Sequence, residues 1–397
     1  MQNQIFLCLL GTALIASAAE EKFSITVQAG EFNRQQTPVS FLLPPGARNF
    51  AAMRDAEGKI TPLQSDKNGR AGFVISQLKK GAQVKYELVA ASNAKPDLVQ
   101  ATREKSKLKI SLRNRPLLEY QAEPGELPRD NIKPIFQRGG YLHPIYTLSG
   151  KMVTDDYPPN HIHHHGVWWA WTHTEFEGRS PDFWNMGDGK GRVEFVALDD
   201  TWSGPVHAGF MARHRFIDLT APKPVNALNE TWEVRVYHQT AREPFWIFDL
   251  ASTQECATAN ALKLPEYRYG GVGFRGNWAW NGEDKTDFLT SEGETDRNKG
   301  NTARGRWCDL SGAVDGERAG IAILGHPDNF RAPQPMRLHP TEPFFCFAPQ
   351  QSGAMEIAPG KPYVSRYRFV VHDGRPDPVL LERLWNDYAH PPVVKVD

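Results

Sequence analysis

Leu108-Lys109-Ile110-Ser111-Leu112 places an apolar side chain at every second residue, and in an extended chain those three side chains share one face. The same alternation recurs at Arg192 to Leu198, Thr231 to His238, Phe245 to Ser252, Ala319 to Leu324 and Tyr363 to Val371. Thirty prolines and 33 glycines are spread between these runs rather than clustered, which fits many turns joining short strands. Residues 108–397 are therefore expected to form one large all-β domain. Only Pro378 to Tyr388 departs from the pattern, with a proline start and Leu380, Leu381, Leu384 and Trp385 at helical spacing.

Working outward, the N-terminal part alternates in shorter runs: Phe23-Ser24-Ile25-Thr26-Val27, Val39-Ser40-Phe41-Leu42 and Val84-Lys85-Tyr86-Glu87-Leu88. These runs predict a small β-sandwich over residues 20–92, and the polar stretch 93–107 reads as a linker. Residues 1–19 carry an apolar run from Ile5 to Ala16 that closes on Ala16-Ser17-Ala18, a small-x-small cleavage pattern. They are read as a removed signal peptide, so export to the periplasm or the cell exterior is expected. Cys8 lies too early, and lacks the preceding small residues, for a lipidated cysteine.

Beyond that segment no window approaches the roughly 20 apolar residues that cross a bilayer. With 46 basic and 46 acidic side chains the net charge is zero, so no large field concentrates a polyanion, and nucleic acid is not expected as a partner. Cys256, Cys308 and Cys346 show no metal-knuckle or redox spacing and allow at most one bridge; three buried thiols are the alternative. Ten of the eleven tryptophans fall between Trp168 and Trp307. Most are expected in a sandwich core, with Trp169 and Trp184 as candidates to stack on a sugar ring.

The densest chemical signal is Asp155-Asp156-Tyr157-Pro158-Pro159-Asn160-His161-Ile162-His163-His164-His165-Gly166. If this segment is extended, His161, His163 and His165 project from one face and could hold one divalent metal, whereas His164 points to the other face. Alternatively, two of the imidazoles share acid and base work. Glu292, in Ser291-Glu292-Gly293, is the preferred carboxylate. His163 and His164 with Glu292 form the candidate catalytic set, and Arg138, His143, Trp169, Trp184, Arg275 and His326 are the candidate substrate-binding residues. No serine-nucleophile elbow, phosphate loop, dinucleotide fingerprint or H-E-x-x-H motif occurs.

Tyr141-Leu142-His143-Pro144, Gly150, Val153-Thr154, the block His161 to Gly166, Asp182-Phe183-Trp184, Ser291-Glu292-Gly293, Trp307, Gly320-Ile321-Ala322-Ile323, His326-Pro327 and Pro343-Phe344 together resemble a family of secreted bacterial proteins labelled PmoA-like. The resemblance spans most of residues 108–372. It implies the large β-supersandwich of galactose mutarotases and many polysaccharide-degrading enzymes, and a role in sugar utilisation. Methane oxygenation is not expected, because the membrane subunit behind the label is rich in spanning helices. Asn160 stands where the family's block carries an aspartate.

Three functions stay open. One is a carbohydrate-active enzyme (isomerase, lyase or hydrolase) using histidine and Glu292 in acid–base chemistry. The others are a non-catalytic sugar-binding protein, and a metal-dependent enzyme built on His161, His163 and His165.

Overall fold

The computed structural model describes residues 23–90, 97–238 and 243–397; the predicted signal peptide lies outside them. The chain is all-β, with a small sandwich and a large one. The large sandwich packs two wholly antiparallel eight-stranded sheets. The first runs in the order Met336–Leu338, Phe344–Phe347, Gly271–Arg275, Val167–Ala170, Tyr141–Ile145, Arg115–Gln121, Lys107–Leu112 and Val99–Glu104. The second runs Gly191–Trp202, His207–Asp218, Val225–Tyr237, Phe245–Cys256, Tyr363–Asp373, Glu317–Gly325, Trp307–Val314 and Asp287–Thr290. Each alternating segment predicted within residues 108–397 falls in one of these strands, with only His238 just past the end of Val225–Tyr237.

One continuous apolar core fills the space associated with the two sheets and includes Tyr120, Phe210, Trp171, Trp232, Trp246, Phe248 and Phe369. Tyr120 stacks on Phe210 at 4.4 Å, and Phe248 on Phe369 at 4.5 Å. The tryptophans are mostly core, as expected: Trp168, Trp169, Trp171, Trp184, Trp232, Trp246 and Trp280 are among the largest fully buried side chains. Cys308 and Cys346 are buried, Cys256 is half-buried, and all three are free thiols.

Two predicted boundaries shift. The stretch 93–107 is not all linker, because Val99–Glu104 pairs with Lys107–Leu112 from Val99↔Leu112 to Glu104↔Lys107. Its charged outward residues Arg103 and Glu104 are those of an edge strand, and this polarity disguised it. Nor does the large domain keep the whole C-terminus. Val393–Val396 pairs with Ser24–Gln28 and completes a five-stranded sheet of the small sandwich. That sheet faces the three strands Arg34–Leu42, Arg70–Leu78 and Gln64–Ser65 across a core of Ile25, Val27, Met53, Phe73, Ile75 and Leu88.

The predicted helix forms at Pro378–Ala389, capped by Asp377, whose carboxylate accepts the N–H groups of Val379 and Leu380. Leu381 and Leu384 bury against Ile247, Leu324 and Val370 on the outer face of the second sheet. Asp387 on the same helix accepts from Arg34 at 3.0 Å and Thr37 at 2.9 Å, which ties the small sandwich to the large one. Among the described residues no helix is long and apolar enough to cross a membrane.

Candidate functional site

Pro158 and Pro159 lack backbone donors and have fixed φ, so the chain turns as it enters the histidine block. The block closes into two successive turns: His161 N–H donates to Pro158 C=O at 3.0 Å, and His164 N–H to His161 C=O at 2.8 Å. Gly166 then passes so close to the strand Tyr141–Ile145 that a Cβ there would lie 2.3 Å from the Leu142 carbonyl oxygen. Only glycine lets the chain enter the strand Val167–Ala170 at this point.

The turn geometry replaces the expected three-on-one-face arrangement. His161, His163 and His164 gather: the rings of His161 and His164 stack at 4.7 Å, and His163 meets His164 edge-on at 4.7 Å. His165 leaves them. Its Nδ1 lies 2.6 Å from Asp156 Oδ1, and its ring stacks on Tyr141 at 4.3 Å. The predicted metal trio of His161, His163 and His165 is therefore not assembled, because a turn, unlike a strand, does not keep alternate residues on one face. Among the described residues no three His, Cys, Asp or Glu side chains converge as a metal-binding group.

The three gathered imidazoles open onto a cavity of about 260 Å³, lined also by Trp184, Asn185, Arg268, Tyr269, Arg337, His339 and Phe344. Its wall is the edge of the first sheet. His164 stacks on Phe344 at 4.9 Å and lies 5.0 Å from Trp168, while Trp184 packs against Tyr269 at 5.3 Å. His339 enters from the loop after Met336–Leu338, with its ring 5.7 Å from that of His161. A second, shallower cavity of about 580 Å³ adjoins the first at Asn185 and is bordered by His173, Asp182 and Tyr267.

Burial sets the protonation states. It lowers the His163 imidazole to about 4, with His161 and His165 adding to the effect, and lowers the His339 imidazole to about 4, with Arg337 adding to it. His164 is pushed well below its usual value, and His161 is lowered as well. All four rings are thus neutral near pH 7. His339 Nδ1 accepts the backbone N–H groups of Glu342 at 3.1 Å and Thr341 at 3.3 Å, which leaves its ring proton on Nε2. The Nδ1 atoms of His161 and His164 are buried and have no hydrogen-bond partner among the described residues, a costly state for polar nitrogens.

The remaining sequence candidates divide. Trp184, only 1% exposed, keeps a place in the cavity wall. Arg275 is fully buried behind it, donating to Asn281 at 2.6 Å and Asn160 at 3.1 Å and pairing with Glu342 at 2.9 Å. Asn160, neutral, thus bridges Arg275 and Glu342 rather than carrying a charge of its own. Arg138 and His143 belong to a buried polar layer beneath the turn: Tyr157 Oη accepts from Arg138 N–H at 3.4 Å, and His143 Nδ1 lies 3.0 Å from Thr154 Oγ1. Burial raises Asp156 in this layer to about 6 and drives His165 well below its usual value.

Three candidates are corrected. Trp169 is core, packed on Tyr367 at 5.8 Å, because its position in the strand Val167–Ala170 faces inward. Glu292 sits in the turn between Asp287–Thr290 and Trp307–Val314, 62% exposed and 3.8 Å from Arg306; it lines no cavity with the histidines. His326 borders a different cavity with Arg306 and Trp385, its ring 5.0 Å from Tyr388. Conversely, Arg268, Tyr269, Arg337 and His339 belong to the site and were not singled out from the sequence. Leu338-His339-Pro340, a histidine between a buried apolar residue and a proline, was the available signal.

The model of a family described as "Family of unknown function (DUF6807)" matches residues 107–386, and the chain belongs to that family. No curated protein matches. Among solved structures, an α-mannosidase from Enterococcus faecalis V583 is similar with a TM-score of 0.47 and 10% sequence identity, over 96% of this chain and 46% of that one. The chain thus spans less than half the length of that protein.

Proposed function

We propose that this is an exported carbohydrate-active enzyme whose acid–base chemistry is done by the histidines of the first cavity. The observation that carries the reading is the gathering of four neutral imidazoles, two of them with a buried Nδ1 that has no hydrogen-bond partner among the described residues, beside Trp184, Tyr269 and Phe344. Neutral imidazoles offer lone pairs and N–H groups at the spacing of hydroxyls, and aromatic faces suit the apolar C–H side of a sugar ring. His339 Nε2–H is the hydrogen-bond donor of the set, placed to polarise a substrate oxygen without giving up its proton. His163, half-exposed at the mouth, is the acceptor that removes a proton from the substrate. The resemblance to the PmoA-like family, and through it to mutarotase-like sandwiches, agrees with a saccharide substrate.

The test is a screen of glycosides and oligosaccharides with the wild-type chain and with His163→Asn and His339→Asn. Turnover of a saccharide that falls at least about 100-fold in both variants, with binding held within a few-fold, supports the proposal. Saccharide binding without turnover would leave a non-catalytic sugar-binding protein in its place. Loss of turnover on chelation, restored by added metal, would favour a metal-dependent enzyme instead.

A further inference from the structure

We infer that the saccharide taken by the first cavity carries an anionic group, a carboxylate or a sulfate, held between Arg268 and Arg337. The inference rests on the saccharide reading above and narrows its substrate class. Among the described residues no aspartate or glutamate lines the cavity, yet two guanidiniums do. They lie close enough that Arg268, together with the larger effect of burial, makes the Arg337 charge harder to keep. Arg337 is half-buried and Arg268 is exposed at the rim, and a half-buried guanidinium is ordinarily paired with a carboxylate. Here, among the described residues, neither has a carboxylate within 4.0 Å.

The nearby carboxylates are already committed. Glu342 is held by Arg275 at 2.9 Å and by Asn160 at 2.6 Å. Asp182 accepts the N–H groups of Trp184 and Asn185, the Asn185 side-chain amide and the Thr172 hydroxyl, which uses both of its oxygens. Of the two arginines, Arg337 donates to Asn301 Oδ1 at 3.1 Å but keeps a buried Nε without a partner. Arg268 lies over the rings of Tyr269 at 5.5 Å and Tyr267 at 5.8 Å, which fixes its plane at the junction with the second cavity. Two planar forks with free donors are the arrangement that binds a carboxylate or sulfate in two-point fashion. The neutral imidazoles alongside leave the cations free to act on the ligand, and an anion bound there would raise the imidazoles toward protonation.

Calorimetric titration of the full chain tests this with four kinds of probe: hexuronates and their oligomers, the neutral parent sugars, sugar sulfates, and inorganic sulfate. Wild type, Arg337→Gln and the more exposed Arg268→Gln are compared, with circular dichroism to show that each is folded. The expected result is an acidic sugar bound at least about ten-fold more tightly than its neutral parent. That preference should fall by about the same factor in either variant, with the acidic sugar losing more affinity than the neutral parent. Preference for uronates over sulfates, or the reverse, identifies the anion. Equal binding of acidic and neutral sugars, or a preference that survives both substitutions, overturns the inference and leaves the saccharide reading standing. Inorganic sulfate binding as tightly as any sugar, or no binding by any probe, overturns both.

Discussion

Arg275 and Glu342 form an ion pair at 2.9 Å in which the guanidinium is fully buried and the carboxylate 12% exposed. The pair sits directly behind the histidine turn, and the Arg275 charge contributes to lowering His161, His163, His164 and His339. Removing one partner of such a pair strands a buried charge. Glu342→Ala is expected to cost about 3 kcal/mol, read from urea denaturation. A change below about 1 kcal/mol would show that water compensates Arg275.

Acid should destabilise the chain. His163, His207 and His339 are held near 4, against 6.5 for an unperturbed imidazole. Between those values the unfolded chain binds more protons than the folded one, so stability is full above about 6.5 and is lost as the pH falls toward 4. Asp155 and Asp156, raised from 3.8 to about 6, act in the opposite direction and offset part of the loss. The histidines outnumber them, since His164 and His165 are lowered as well. Melting temperature should therefore drop by several degrees between pH 7 and pH 5, and the drop should shrink in His163→Asn. A melting temperature that is flat or rises on acidification would contradict the assignment of neutral, buried rings.

Asp387 joins the two sandwiches through Arg34, with side chains 0% and 2% exposed. Asp387→Ala should lower stability by about 3 to 5 kcal/mol. The same variant should let protease cut between the sandwiches sooner than in wild type, which gel analysis of a timed digest would reveal. Unchanged digestion would mean that the remaining bonds from Arg34 to the His390 carbonyl and from Arg383 to the Gln35 carbonyl hold the junction.

Glu292→Gln should be nearly silent, within about 0.5 kcal/mol in stability and without effect on saccharide binding or turnover. Its carboxylate is exposed and, among the described residues, reaches only Ser291 and Arg306. A large loss of turnover would return it to the catalytic set.

The architecture was legible because alternation in segments such as Phe245 to Ser252 records which face is buried, and burial is what a sandwich requires. The edge strands were not, since Val99–Glu104 must be polar on its open side, and Val393–Val396 is too short to be distinguished from a tail. In the site, the histidine block announced itself by composition, but its geometry depended on Pro158-Pro159 overriding the strand period. His339 and Arg337 come from a chain segment about 175 residues away, on an edge strand and its loop three places along the first sheet from Val167–Ala170. Convergence of that kind is a property of strand order, and a one-dimensional reading that guessed at it chose Glu292 instead.

The pairing of Ile25 with Val396 sets a schedule on synthesis. Residues 24–28 leave the ribosome early, yet the strand that covers their free edge is made some 370 residues later. Until then the N-terminal sandwich carries an unpaired border of backbone donors and acceptors open to other chains. Val393–Val396 therefore acts as a clasp that shields Ser24–Gln28, and the interval before it closes is when nascent copies of this chain are most exposed to one another.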